Sequence, residues 1–132
     1  MDDLGFLRER IESYADYTND GDRRLVDDQI RAYVGEALAR LRERLQPAGA
    51  DGETLERLIL RCQFADQPLA RVLDALTPDA AEMAAIHRRD RELVTLADRA
   101  DAVTAADVDV FLKQIETQLD ARVHTITDAP AA

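Results

Sequence analysis

The stretch DRRLVDDQIRAYVGEALARLRERLQ, residues 22–46, carries the clearest structural signal in the chain. Its apolar side chains recur every three or four residues and fall within about 140° of one helical face. The members of this stripe are Val26, Ile30, Tyr33, Val34, Ala37, Leu38, Leu41 and Leu45. The stripe predicts an amphipathic helix capped by Asp22, with a length of about 35 Å at 1.5 Å per residue.

The same periodicity predicts shorter helices on both sides of this stretch. The first begins after Asp2 or Asp3, either of which can cap it, and ends at the turn-forming residues 18–21. Its apolar face comprises Leu4, Leu7, Ile11, Tyr14 and Ala15. Later helices are predicted to begin near Glu53, after the cap Asp66, at the cap Thr77 and at Thr104. The predicted fold class is all-α: a compact bundle of five to six helices with a long second helix, in irregular or orthogonal packing.

Residues 47–52 are the one linker-like stretch, and their length suits an ordinary connection between two helices. We therefore predict a single helical domain over residues 1–126, followed by a disordered tail over residues 127–132.

The net charge of −10 disfavours partners that require a basic face, namely nucleic acids and anionic membranes. No apolar run approaches the roughly 18 residues of a membrane span. The acidic start Met1-Asp2-Asp3 does not resemble a secretion signal. These features predict a cytoplasmic protein with no membrane partner.

Aspartate outnumbers glutamate 18 to 9, and arginine outnumbers lysine 16 to 1. A GC-rich genome accounts for the arginine, but it does not account for the aspartate. Such an acidic surface suits concentrated salt, in which the Debye length falls to about 3 Å and self-repulsion is screened. Salt adaptation and an ordinary acidic protein from a GC-rich organism remain the two interpretations.

Motifs for catalysis or cofactor binding are absent from the sequence. It contains no glycine-rich phosphate loop, no paired-cysteine zinc spacing and no helical Glu-x-x-His pattern. The single cysteine, Cys62, falls among apolar residues and is predicted to fill the core. We predict no cofactor, no metal and no identifiable small-molecule substrate.

His87 and Asp90 form the most unusual local pattern. Asp90 lies in the middle of an apolar helical face and His87 lies at its edge, three residues away, so the two could share a hydrogen bond. A buried carboxylate needs a partner, which could be an arginine, the histidine or water. One interpretation is a catalytic dyad or half of a metal site, and the other is an inter-helix salt bridge that fixes helix register.

Arginines cluster in two places, and they are candidate contacts for an anion or an acidic partner. The first cluster comprises Arg40, Arg42 and Arg44, and the second comprises Arg88, Arg89 and Arg91. The alternative is that these side chains pair with nearby acids on a solvated face.

Several apolar residues fall outside the main stripes and exceed the needs of so small a core. They are Phe6, Tyr17, Leu60, Phe64 and Val110. Exposed apolar patches tend to mark interfaces. The first hypothesis is therefore a non-catalytic interaction or adaptor protein that binds a protein partner or itself as a homodimer. Two alternatives stay open: a helical enzyme or metal-binding protein centred on His87 and Asp90, and an accessory of nucleic-acid machinery that uses the arginine clusters.

Overall fold

The computed structural model describes residues 2–14, 16–17 and 22–129. These residues form six α-helices and no strand, which confirms the predicted all-α bundle. The helices are α1 (Asp3–Arg10), α2 (Arg23–Leu45), α3 (Gly49–Gln63), α4 (Gln67–Asp74), α5 (Ala80–Asp98) and α6 (Val108–Thr127). Two 3₁₀ turns, Arg99–Ala102 and Ala105–Asp107, connect α5 to α6.

The long α2 helix lies at the centre of the packing, as its stripe predicts. Ile30, Val34, Leu38 and Leu41 are completely buried, while Tyr33 and Leu45 are partly buried at the edge of the core. Burying each large apolar side chain stabilises the fold by about 1.5–3 kcal/mol. All six helices contribute to this core, because Leu7, Leu58, Leu73, Leu93 and Ile115, one from each other helix, are also fully buried.

The first helix is shorter than its sequence pattern predicts. It ends at Arg10, and the backbone at Ile11 is extended. Tyr14 was assigned to the helical face, but it lies in the irregular segment that follows; Ala15 and the turn at residues 18–21 lie outside the described residues. The reason is tertiary: leaving the helix allows the hydroxyl groups of both Tyr14 and Tyr17 to reach Asp90.

The connection between α2 and α3 is also shorter than predicted. Helix α3 begins at Gly49 rather than near Glu53, so part of the expected linker is helical. Gly49 has a φ of 63°, a conformation that glycine adopts without strain. A Cβ atom on Gly52 would lie 2.6 Å from the carbonyl oxygen of Pro47, so the absence of a side chain at Gly52 permits the close approach of these two backbone segments.

The remaining helix starts largely follow their sequence signals. The Asp66 side chain accepts a hydrogen bond from the backbone of Leu69 at the start of α4, as predicted. Helix α5 is capped by Asp79 rather than Thr77, because Asp79 and Glu82 form a reciprocal capping box. The last helix begins at Val108 and not at Thr104: Thr104 donates a hydrogen bond to Asp107, but the 3₁₀ turn Ala105–Asp107 separates it from α6.

Helix α5 packs against α1, α2 and α6, and α6 also packs against α3 and α4. Residues on α2, α5 and α6 therefore meet in the interior. Helix α6 ends at Thr127, the first residue of the predicted disordered tail, and residues 130–132 lie outside the described part of the chain.

Candidate functional site

Asp90 is completely buried, and both oxygen atoms of its carboxylate accept hydrogen bonds. Oδ2 accepts from the hydroxyl groups of Tyr14 at 2.7 Å and Tyr17 at 2.6 Å. Oδ1 accepts from Nε of Arg122 at 2.6 Å. The buried carboxylate thus has an inter-helix salt bridge between α5 and α6 and two further donors.

Arg122 is only 2% exposed and connects two carboxylates. Beyond its bond to Asp90, Nη1 donates to Oδ1 of Asp27 at 2.7 Å, and Nη2 donates to the hydroxyl oxygen of Tyr17 at 2.9 Å. Its guanidinium group therefore ties α6 to both α2 and α5. Although burial lowers the pKa of Arg122, its neighbours Tyr17, Asp90 and Asp27 raise it well above its usual value, so Arg122 stays charged.

Asp27 extends the cluster to a second arginine. Its Oδ2 accepts from Nε of Arg31 at 2.9 Å, and Nη1 of Arg31 donates to the carbonyl oxygen of Cys62 at 3.0 Å. Burial raises the pKa of the Asp27 carboxyl, but Arg122 and Arg31 outweigh this effect and lower the pKa below its usual value. We call the set Asp27, Arg31, Asp90 and Arg122 the buried ion network; its two positive and two negative charges balance.

His87 does not form the hydrogen bond with Asp90 that their spacing allows, because Tyr14, Tyr17 and Arg122 occupy the carboxylate. Its Nε2 atom is buried, lies 3.5 Å from Oδ1 of Asp16, and has no hydrogen-bond partner among the described residues. The imidazole instead contacts the rings of Tyr14 and Tyr17, with centroids 6.2 and 6.1 Å away. Asp90 forms its inter-helix salt bridge with Arg122 and not with His87.

The structure contains no group of three or more metal-ligating His, Cys, Asp or Glu side chains among the described residues. Cys62 is buried against the core, and burial raises the pKa of its thiol to about 11. No helix in the described ranges is long and apolar enough to span a membrane.

Most of the six candidate arginines make contacts within the chain. Arg40 pairs with Asp101 at 3.2 Å, Arg42 with Glu56 at 3.0 Å, Arg89 with Glu92 at 3.2 Å and Arg91 with Asp3 at 3.1 Å. Arg44 donates two hydrogen bonds to the carbonyl oxygens of Ala100 and Val103. Arg88 is exposed and makes no ion pair within the described ranges, so the alternative of pairing with nearby acids describes four of the six residues.

The five off-stripe apolar residues occupy different environments. Tyr17 is completely buried, and its hydroxyl group bonds to Asp90 and Arg122. The prediction that Tyr17 belongs to a surface interface is therefore wrong. Phe6 is partly buried against the core and lies between the guanidinium groups of Arg10 and Arg91. Phe64, Val110 and Leu60 are 68%, 56% and 53% exposed.

Phe64 stands at the edge of a surface recess with a volume of about 520 Å³. The apolar wall of this recess comes from the end of α3, the start of α4 and the middle of α6. Its members are Phe64, Pro68, Leu69, Leu119 and Val123. Asp27, Arg31 and Arg122 of the buried ion network lie on its inner side, and we call this feature the Phe64 recess.

Three members of the ion network, Asp27, Arg31 and Arg122, were not recognised from the sequence, although the positions of Asp27 and Arg122 carried a signal. Asp27 lies three residues before Ile30 and seven before Val34, in the middle of the α2 stripe. Arg122 lies seven residues after Ile115, in the middle of the α6 stripe. Three charged residues that interrupt three apolar stripes indicate mutual pairing, because each one alone needs a buried partner.

Comparison with known proteins finds no matching family model, no similar curated protein and no similar solved structure.

Proposed function

We propose that this protein is a non-catalytic interaction protein that associates with a second copy of itself through the Phe64 recess. The observation that carries this proposal is the 68% exposure of Phe64 beside a recess with one apolar wall. Aromatic side chains that stand at the surface beside a pocket are typical anchors of protein interfaces. Leu60, four residues earlier and 53% exposed, lies outside the recess and is a second exposed apolar side chain near this end of α3.

A second copy suits this surface because one protomer carries both the projecting side chain and the recess that can accept it. In a two-fold symmetric contact, Phe64 of each protomer enters the recess of the other. Complete burial of a phenylalanine side chain contributes about 1.5–3 kcal/mol, and the symmetric contact contains two of them. A stable interface buries about 1,000 Å² or more, so the contact also includes Leu60 and the rim pair of Arg61 and Asp120.

The net charge predicts how salt affects this association. Each copy carries −10, so two approaching copies repel each other in dilute buffer. Salt screens this repulsion while it leaves apolar burial intact or strengthens it. Self-association through the Phe64 recess therefore strengthens as salt rises, whereas a contact held by opposite charges weakens.

The test compares two charge insertions at exposed apolar positions. The double variant Leu60→Asp and Phe64→Asp places charge on the proposed interface, and its mass in solution is expected to fall from dimer to monomer. Loss of the Phe64 anchor alone weakens association by about 2 kcal/mol or more, roughly thirtyfold in Kd. The matched control is Leu25→Asp, because Leu25 is 46% exposed on α2 and does not line the recess.

Sedimentation equilibrium in molar salt measures the mass, and circular dichroism checks that all variants stay helical. The control is expected to remain a dimer with wild-type affinity. A folded double variant with the mass of the wild type would show that this surface is not the interface.

A further inference from the structure

We propose that the groove between α5 and α6 is a second binding site, which takes an acidic segment of a partner polypeptide. This groove has a volume of about 710 Å³ and lies on the side of α6 away from the Phe64 recess. The proposal does not depend on self-association, because no residue lines both features.

The groove is locally positive within an acidic protein. Four cations line it, Arg88, Arg91, Arg99 and Lys113, together with two acids, Asp3 and Glu92. The sum is +2, whereas the chain as a whole carries −10. A partner segment with carboxylate groups matches this local excess of positive charge.

Both acids in the groove are already engaged. Asp3 pairs with Arg91 at 3.1 Å, and Glu92 pairs with Arg89 at 3.2 Å. Lys113 in turn pairs with Asp109 at 3.0 Å. The cations that make no ion pair within the described part of the chain are Arg88 and Arg99, and both are exposed.

The pair between Asp3 and Arg91 shows the kind of contact that this groove makes. A carboxylate from another segment of the chain reaches over α5 and binds a guanidinium group. Guanidinium groups suit carboxylates because their donors match the two oxygen atoms. Arg88 and Arg99 present the same chemistry without an acid from residues 2–14, 16–17 or 22–129.

The polar and apolar groups of the groove favour a polypeptide over a simple anion. Oε1 of Gln118 is buried in the groove wall without a hydrogen-bond donor in the described residues. Rotation of the Gln118 amide toward the groove would let a backbone N–H of a bound segment donate to this atom, whereas an inorganic anion has no donor. Val110, 56% exposed, and Leu96 provide apolar contact for a side chain between two acidic residues.

Fluorescence anisotropy with a designed probe tests this site. The probe is a short fluorescent peptide of alternating glutamate and valine, and its matched control has glutamine in place of each glutamate. The wild-type protein is expected to bind the acidic peptide and to bind the glutamine peptide at least about tenfold more weakly, because the neutral amides lose the guanidinium contacts. Absence of binding to the acidic peptide would overturn the proposal.

Two double variants with the same change in charge locate the site. Arg88→Glu with Arg99→Glu reverses the two groove arginines, and the affinity for the acidic peptide is expected to fall by about tenfold or more. Arg8→Glu with Arg71→Glu is the control, because these exposed arginines also make no ion pair within the described ranges and do not line the groove. Equal loss in both double variants would mean that total charge, and not the groove, governs binding.

A third comparison separates a peptide from a nucleic acid. A single-stranded oligonucleotide with the same number of negative charges is expected to bind more weakly than the acidic peptide, because the long-range repulsion is equal while its bases do not match the small apolar contact at Val110. Tighter binding of the oligonucleotide would overturn the assignment of a polypeptide. Self-association measured on the same variants stays at the wild-type level, so the two proposals fail or succeed separately.

Discussion

The interior of this protein contains a network of four charged side chains, whereas its surface exposes a phenylalanine. The buried ion network and the Phe64 recess are neighbours, since Asp27, Arg31 and Arg122 line the inner side of the recess. They differ in whether their side chains have partners within the protein. Both carboxylates of the network, Asp27 and Asp90, have charged partners, while 68% of Phe64 faces solvent.

This difference separates structural roles from binding roles. A buried charge whose partners all lie within the chain fixes the relative position of helices, here α2, α5 and α6. An exposed aromatic side chain beside a recess remains to be covered by another molecule. Changes in the network are therefore expected to lower stability, and changes at Leu60 and Phe64 are expected to lower association at nearly constant stability.

The largest effect on stability is expected from Arg122→Met. This variant keeps most of the side-chain volume but leaves Asp27 and Asp90 with fewer partners in the interior. Removal of one member of a buried pair typically lowers the free energy of unfolding by about 3–5 kcal/mol. Urea unfolding followed by circular dichroism measures the loss.

The control for this variant is Arg40→Met, which removes an exposed arginine paired with Asp101 at 3.2 Å. Exposed pairs contribute little, so this variant is expected to unfold at nearly the same urea concentration as the wild type. If both variants lost the same free energy of unfolding, the buried arginine would contribute no more to stability than the exposed one.

A second effect is expected from acid. Although burial raises the pKa of the Asp27 carboxyl, Arg122 and Arg31 hold it below the usual value of 3.8. A depressed pKa in the folded state means that the full stabilisation is present above the unfolded pKa and is lost as pH falls through the folded pKa. The free energy of unfolding is therefore expected to decrease below about pH 4.

The variant Asp27→Asn is expected to show a flatter dependence of unfolding free energy on pH below this point. Asp74→Asn serves as its control: Arg24 also lowers the pKa of Asp74, but this pair lies at the surface, where solvent screens it. Urea unfolding at a series of acidic pH values gives the slopes. A slope for Asp27→Asn that matches the wild type would show that Asp27 is not a source of acid sensitivity.

The smallest effect is expected from His87→Leu. Nε2 of His87 is buried without a hydrogen-bond partner in the described residues, and its nearest acid oxygen, Oδ1 of Asp16, is 3.5 Å away, so an apolar replacement removes an unsatisfied group together with one long contact. The free energy of unfolding is expected to change by about 1 kcal/mol or less, in either direction. If His87→Leu lowered the free energy of unfolding as much as Arg122→Met, His87 would be an essential part of the buried ion network.

Helical periodicity, together with capping residues, was sufficient to predict that the helices exist and to predict most of the core, but it did not predict every helix end. The stripe of α2 predicted the burial of Ile30, Val34 and Leu41, because a helix with one apolar face has one way to bury it. The sequence also identified Asp90 as a charge on an apolar face that needs a partner. Helix packing determines the partner of Asp90, and that partner is Arg122 and not His87, the candidate nearest in sequence.

The errors of prediction share a tertiary cause. Tyr14 continues the spacing of the first helix, yet the chain leaves the helix at Ile11 and places its hydroxyl group 2.7 Å from Asp90, a residue 76 positions away. Tyr17 was predicted to be a surface residue because it lies off the stripe, but its hydroxyl group also bonds to Asp90. Local periodicity contains no information on bonds between segments so distant in sequence.

Sedimentation equilibrium of the unaltered protein across a series of salt concentrations tests the central claim most directly. Apolar burial at the Phe64 recess, opposed by a charge of −10 on each copy, predicts a monomer–dimer equilibrium that shifts toward dimer as salt rises from millimolar to molar. A monomer mass at every salt and protein concentration would contradict the proposed function, and so would a dimer that dissociates as salt rises.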